Sequence, residues 1–216
     1  SLGVGLRTDE LGGWDASLRG SASVRPSPDL RLEFAPRLSL SEEPRQYVRT
    51  LDDGPEATYG DRYVFSRIDR TTLSAEMRAS YAFDPGLSVE LFAQPFAARG
   101  DYHSFGELRR PGDLGLLRYG EGGSRVVERD GRSLTVEARG QRFRVPEPDF
   151  NVYSFRSTVV LRWQWRPGST LHLAWQQNRR RRSGTGRAIG VGGWLEPFGA
   201  AGEQAVTAKL TYWLQL

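Results

Sequence analysis

The chain of 216 residues carries 30 basic and 26 acidic residues, a formal net charge of +4, and a mean hydropathy of −0.53. It has no cysteine and only two histidines, His103 and His172, which excludes a disulfide framework and a thiolate metal centre and leaves no metal or cofactor site to expect. No apolar run approaches the roughly 18–20 residues of a membrane helix, but the inner positions of a membrane barrel dilute its hydropathy, so that class stays open.

Almost all the positive charge is arginine, Lys209 being the one lysine. The basic residues are interleaved with acids and form no recognisable RNA- or DNA-binding motif, so nucleic acid is not an expected partner. The chain opens at Ser1 in a pattern that already reads as strand, and a mature or truncated product is expected.

Alternation then organises the chain. Leu2, Val4 and Leu6 share a face and are followed by a turn through Gly12 and Gly13. A second run, from Trp14 to Val24, sets Trp14, Ala16, Leu18 and Ala22 against Asp15, Ser17, Arg19 and Arg25. After Pro26–Asp29, Leu30, Leu32, Phe34, Leu38 and Leu40 oppose Arg31, Glu33 and Arg37; Pro36, unable to donate to a ladder, predicts a bulge or an unpaired position. The run continues past Tyr47 to a loop at Asp52–Pro55 and returns from Arg62, with a parity slip expected near Ile68–Arg70.

Leu73, Ala75, Met77, Tyr81 and Phe83 then oppose Ser74, Glu76, Arg78 and Ser80, and Asp84-Pro85-Gly86 turns the chain into Leu87, Val89, Leu91 and Ala93 against Glu90, Phe92 and Gln94. A long polar insertion, 100–148, holds Asp130-Gly131, a type I′ dipeptide that predicts a small hairpin. The next pair of strands flanks Arg166-Pro167-Gly168-Ser169. Its apolar face is sorted: Tyr153 and Phe155 at one end, Val159 and Leu161 in the middle, Trp163 and Trp165 at the other, with Trp175 on the returning strand. A Gly-rich loop, 178–204, begins with Arg179–Arg182, and a last strand from Val206 to Leu216 includes Tyr212.

About eight strands result. The turns Pro26–Asp29, Asp84–Gly86 and Arg166–Ser169 are tight, whereas the intervening connections 41–61, 100–148 and 178–204 are long and polar; only the first, at 8–13, is short. That division suits strands running up and down between two compartments, with short turns on the periplasmic side. A soluble sandwich has no reason to sort aromatic residues to strand ends, whereas a bilayer-crossing strand does. The expected fold is therefore an all-β, antiparallel up-and-down transmembrane β-barrel over 1–216, either complete or the C-terminal part of a larger one. Trp14, Tyr81, Phe83, Tyr153, Phe155, Trp163, Trp165, Trp175 and Tyr212 are its membrane-girdle candidates.

Several stretches together resemble a known family: Arg62-Tyr-Val-Phe-Ser-Arg-Ile-Asp-Arg-Thr-Thr-Leu-Ser74, Tyr81-Ala-Phe-Asp-Pro-Gly-Leu-Ser-Val-Glu-Leu-Phe-Ala-Gln-Pro-Phe96, Gly100-Asp-Tyr102, Val159-Val-Leu-Arg-Trp-Gln-Trp-Arg-Pro-Gly-Ser-Thr-Leu171 and Lys209-Leu-Thr-Tyr-Trp-Leu-Gln-Leu216. Over at least residues 45–216 the chain resembles an uncharacterised group of Gram-negative outer-membrane proteins that join an N-terminal carbohydrate-binding-like β-sandwich to a C-terminal barrel. The resemblance implies location in the bacterial outer membrane and a missing N-terminal region, with further strands or other subunits as potential partners. It brings no catalytic residues.

The inward positions carry Arg19, Arg31, Glu33, Arg37, Glu76, Arg78, Glu90, Arg156 and Arg162 as lumen-lining candidates. Two readings stand: a ladder of cross-strand ion pairs filling a narrow interior, or arginine forks that favour carboxylate, phosphate or sulfate. Phe92, Phe96 and Trp213 interrupt the polar face, as packing or as a stacking surface for a sugar; Tyr102, His103 and Phe105 permit a carbohydrate contact. Arg179–Arg182 fits either lipopolysaccharide phosphates or a solvated loop.

Enzyme chemistry is not expected. Asp52, Asp53 and Asp84 are turn residues, no carboxylate pair has glycosidase spacing, and Ile189–Gly193 lacks the lysine and helix of a phosphate loop. The expected function is a porin-like conduit for polar, saccharide or anionic solutes in contact with outer-membrane lipid and lipopolysaccharide; the alternative is a structural or surface-binding barrel that anchors a carbohydrate-binding domain without transport.

Overall fold

In a computed structural model, which describes residues 1–190 and 196–214, the chain is all-β and contains no α-helix among those residues. The strands are β1 (Leu2–Thr8), β2 (Trp14–Gly20), β3 (Ala22–Ser27), β4 (Leu30–Leu51), β5 (Arg62–Asp84), β6 (Leu87–Leu108), β7 (Leu116–Arg118), β8 (Ser124–Arg129), β9 (Ser133–Ala138), β10 (Gln141–Pro146), β11 (Phe150–Arg166), β12 (Ser169–Ser183) and β13 (Gly202–Thr211). One antiparallel sheet runs β1-β2-β4-β5-β6-β11-β12-β13, with β3 also pairing β4 and β7 pairing β6. A second sheet orders β10-β9-β8. Among the described residues no ladder joins β1 to β13, so the large sheet is open.

Several boundaries differ from the sequence reading. The run from Trp14 breaks at Ser21, between the pairs Arg19↔Arg37 and Ala22↔Phe34, with the register on β4 unchanged. Pro36, which has no N–H to give, lies opposite that break, beside Gly20. Strands β4, β5 and β6 reach 22, 23 and 22 residues, about twice a bilayer-crossing strand. They consume most of the first long loop and the beginning of the insertion. Arg179–Arg182 belongs to β12 rather than to a loop, and β13 ends at Thr211, so Tyr212 lies beyond the strand. The run Ile189–Gly193 lies partly, and Leu216 wholly, outside the described residues.

The parity slip expected near Ile68 is absent from β5. Extra residues sit instead on its neighbours: on β4 between Glu43 and Gln46 and between Tyr47 and Arg49, and on β6 opposite Phe65–Arg67, where Ser104 has φ +54°. β5 therefore keeps even-numbered side chains on one face from Arg62 to Ser80.

The two faces of the large sheet differ. Apolar stretches on one face run from Leu30 to Leu40 on β4, Leu73 to Phe83 on β5 and Leu87 to Ala97 on β6. Each matches the roughly 9–11 residues a tilted strand needs to cross hydrocarbon. Beyond them the same face turns charged, with Glu42, Arg67 and Arg99. Phe83, Trp163 and Val206 on this face are 59%, 46% and 74% exposed, a continuous apolar surface that water would penalise.

The compact core lies elsewhere. The β8–β10 sheet packs Leu134, Val136, Ala138 and Val145 on Val64 and Phe105, near the start of β5 and the end of β6. This cap shares the even-numbered face of β5, displaced along the strand from Glu76 and Arg78. Its first turn uses Asp130-Gly131 differently from the type I′ expectation. Asp130 N–H donates to Ser133 O at 3.1 Å, and Gly131 has positive φ, +75°, while Asp130 does not, whereas a type I′ turn centred on Asp130-Gly131 needs it at both.

Candidate functional site

Curvature of the sheet brings polar side chains from five strands into one cleft of about 700 Å³. Period-two alternation puts Arg19 of β2, Arg37 of β4, Glu76 of β5, Gln94 and Phe96 of β6 and Arg156 of β11 on its walls. A second cleft of about 430 Å³ along the same face gathers Arg31, Glu33, Arg78, Glu90 and Phe92. Eight of the nine lumen-lining candidates thus line two neighbouring clefts. The ninth, Arg162, lines neither and donates to Gln164 Oε1 at 3.3 Å.

Their pairing differs between the two clefts. Arg31 meets Glu33 at 2.7 Å on its own strand, and Arg78 lies 5.2 Å from the Phe92 ring centroid, so the second cleft is balanced. No cross-strand ion-pair ladder forms among the candidates. In the first cleft Arg19 directly opposes Arg37 in the β2–β4 register, and among the described residues neither they nor Arg156 has a carboxylate partner. Glu76, the carboxylate on these walls, accepts from Gln94 Nε2 at 3.4 Å, and Gln94 in turn faces Arg156 across β6 and β11. Like charges directly opposite are unfavourable, so this is a cationic cleft held by its backbone register rather than by internal pairing.

The girdle candidates are spread over the apolar face and its ends. Trp14 Nε1 donates to Glu42 Oε2 at 3.2 Å, and Glu42 also meets Arg67 at 2.8 Å. Trp175 Nε1 donates to Gln204 Oε1 at 3.2 Å. Tyr81 and Phe83 meet edge-to-face at 4.6 Å, and Trp163 and Trp165 lie tilted at 5.7 Å. Phe155 is buried under Phe198, 4.4 Å between centroids, while Tyr153 opposes Arg181. Tyr212 stacks under Arg166 at 4.2 Å. Trp14 and Trp175 do not share a hydrogen-bond row. The row from Trp175 passes Val159, Leu91 and Ala79 to Leu32, well down β4 from Glu42, the slant that tilted strands produce.

The insertion lines neither cleft. Phe105 is buried in the cap and Tyr102 packs against it. The sequence reading missed the polar centre of the cap. Arg62 pairs with Glu107, and its Nη2 donates to Asp53 O at 3.0 Å and Gln141 Oε1 at 3.1 Å. Its guanidinium stacks 3.8 Å from the Phe143 centroid. Tyr119 donates to Glu107 Oε2 at 3.1 Å; burial, then the neighbouring carboxylate, pushes the phenol well above its ordinary range. Arg62 and Glu107 carry alternation but no local signal of each other.

Among the described residues no cluster of His, Asp or Glu could hold a metal ion, and no helix is long and apolar enough to cross a membrane, which says nothing of strands. Residues 8–215 match the model of a family described as a domain of unknown function (DUF5916). No curated protein and no solved structure matches the chain.

Proposed function

The chain belongs to the DUF5916 family, and from its own two faces we propose that it forms the wall of a bacterial outer-membrane β-barrel that conducts polar solutes. The observation that carries this is the opposition between a bilayer-length apolar band and a cleft-lined, arginine-rich face on the same strands. In a closed barrel the apolar band would meet lipid, with Trp163 and Trp165 at the periplasmic margin, and the clefts would lie on the lumen. The β1 and β13 edges would then be joined, to one another or through further strands or subunits. Lipopolysaccharide would meet the charged margin beyond Leu40, Leu73 and Ala97.

Planar-bilayer recording on the full-length protein tests the conduit. Stable conductance steps are expected, with an anion preference that falls when Arg19, Arg37 and Arg156 are replaced by alanine. A silent but heat-modifiable protein would instead favour a surface-binding barrel. The cap supports that second reading, because it stands on strands longer than a membrane needs and lines neither cleft. A stable monomer in the absence of detergent would defeat both membrane readings.

A further inference from the structure

From the cleft between β2 and β11 we infer a binding site for an acidic saccharide, a sugar chain bearing carboxylate or sulfate groups. The inference deepens the conduit reading and rests on it for access to the cleft. Three arginines without carboxylate partners, Arg19, Arg37 and Arg156, share the walls with one carboxylate, Glu76, so the local charge is positive. Two of them are held directly opposite one another across a ladder. That arrangement is unfavourable when empty of anions and favourable around an oxyanion, which guanidinium forks grip bidentately.

Charge alone would fit inorganic phosphate or sulfate as well. The rest of the lining argues for a sugar. Phe96 offers a ring face, and Ala35 adds a small apolar patch beside Arg37. The Gln94–Glu76 pair presents amide and carboxylate groups to hydroxyls. From β2 to β11 the walls are separated by four inter-strand steps, about 19 Å along the sheet at ~4.8 Å each. With a volume of about 700 Å³, the cleft suits a ligand of several rings rather than one small ion. Arg19 and Arg37 would hold one acidic group and Arg156 another, with an intervening ring on Phe96.

The test is calorimetric titration of the full-length protein in detergent micelles with trigalacturonate, a neutral galactose trisaccharide and sodium sulfate. Trigalacturonate is expected to bind on the order of tenfold or more tighter than either of the others. The double variant Arg19→Ala/Arg37→Ala should lose on the order of tenfold or more of that affinity, as loss of charge-assisted hydrogen bonds predicts. Arg125→Ala, on the cap, should bind as the native protein does. Gel mobility with and without heating confirms that each variant is folded; if the double variant fails there, Arg156→Ala alone should weaken binding several-fold. Equal binding of the neutral sugar overturns the role of the arginines. Sulfate binding as tightly as the uronate overturns the saccharide. Conductance without uronate binding removes this site and leaves the conduit; binding in a silent protein does the reverse.

Discussion

Arg62 and Glu107 meet under the cap from strands 45 positions apart, each side chain only 1% exposed. Their burial gives the cap an ionic centre, built on the ends of strands whose other halves form the apolar band. Removing one partner leaves a buried charge unpaired. Glu107→Ala should destabilise the cap by about 3–5 kcal/mol, and the double replacement Arg62→Met/Glu107→Leu should cost less than either single change. Limited proteolysis across β8–β10, compared with heat-modifiability of the whole protein, separates loss of the cap from loss of the large sheet.

Tyr119 gives that centre a pH dependence. Burial and Glu107 raise its folded pKa above the ordinary 10.0, so the folded cap holds the phenol proton more tightly than the unfolded chain does. The resulting stability is fully present below pH 10 and declines as pH rises above it. Denaturation of the cap at pH 9 and pH 11.5 should show the fall, and Tyr119→Phe should flatten it. Phenolate absorbance of one tyrosine should stay suppressed until the cap opens.

Leu91 lies within the apolar band, 38% exposed between Ala79 and Val159. Leu91→Arg should cost about 2–4 kcal/mol if that face meets the middle of a bilayer. Against water it would change stability by about 0.5 kcal/mol or less. Folding yield into lipid vesicles, read from heat-modifiable mobility, distinguishes the two.

The turn between β11 and β12 depends on Gly168. Its φ is +75°, and a methyl there would stand 2.7 Å from Trp213 Cβ. Gly168→Ala should cost about 1–2 kcal/mol from backbone conformation alone, and more from displacement of Trp213, whose N–H donates to Ser169 Oγ at 3.1 Å. Gly3→Ala, with nothing within 4 Å of the added group, is the matched control. Thermal unfolding in detergent compares them.

Alternation made the strands legible, because Leu30–Leu40 and Leu73–Phe83 each place one chemistry on one face. It stopped being informative where β4 and β6 carry extra residues, at Glu43–Arg49 and Ser104, and that is where strand was mistaken for loop. Parity also put Arg19 and Arg37 on the polar face. It could not reveal that they oppose each other, because facing partners depend on how β2 registers on β4, which alternation alone does not set. The cap centre was hidden more thoroughly. Arg62 and Glu107 find each other only once two long strands pair, and nothing near either residue announces it.

β5 runs without an extra residue from Arg62, under the cap, to Ala82 near the turn at Pro85. Its length can therefore change only in pairs. A single inserted residue between Ser66 and Ser74 would exchange the faces on one side of the insertion, turning Arg62 and Val64 away from the cap or Glu76 and Arg78 away from the clefts. Two inserted residues would leave every side chain on its own face and lift the cap by roughly 7 Å. The height of the cap is thus adjustable in steps, while the direction in which it faces is fixed.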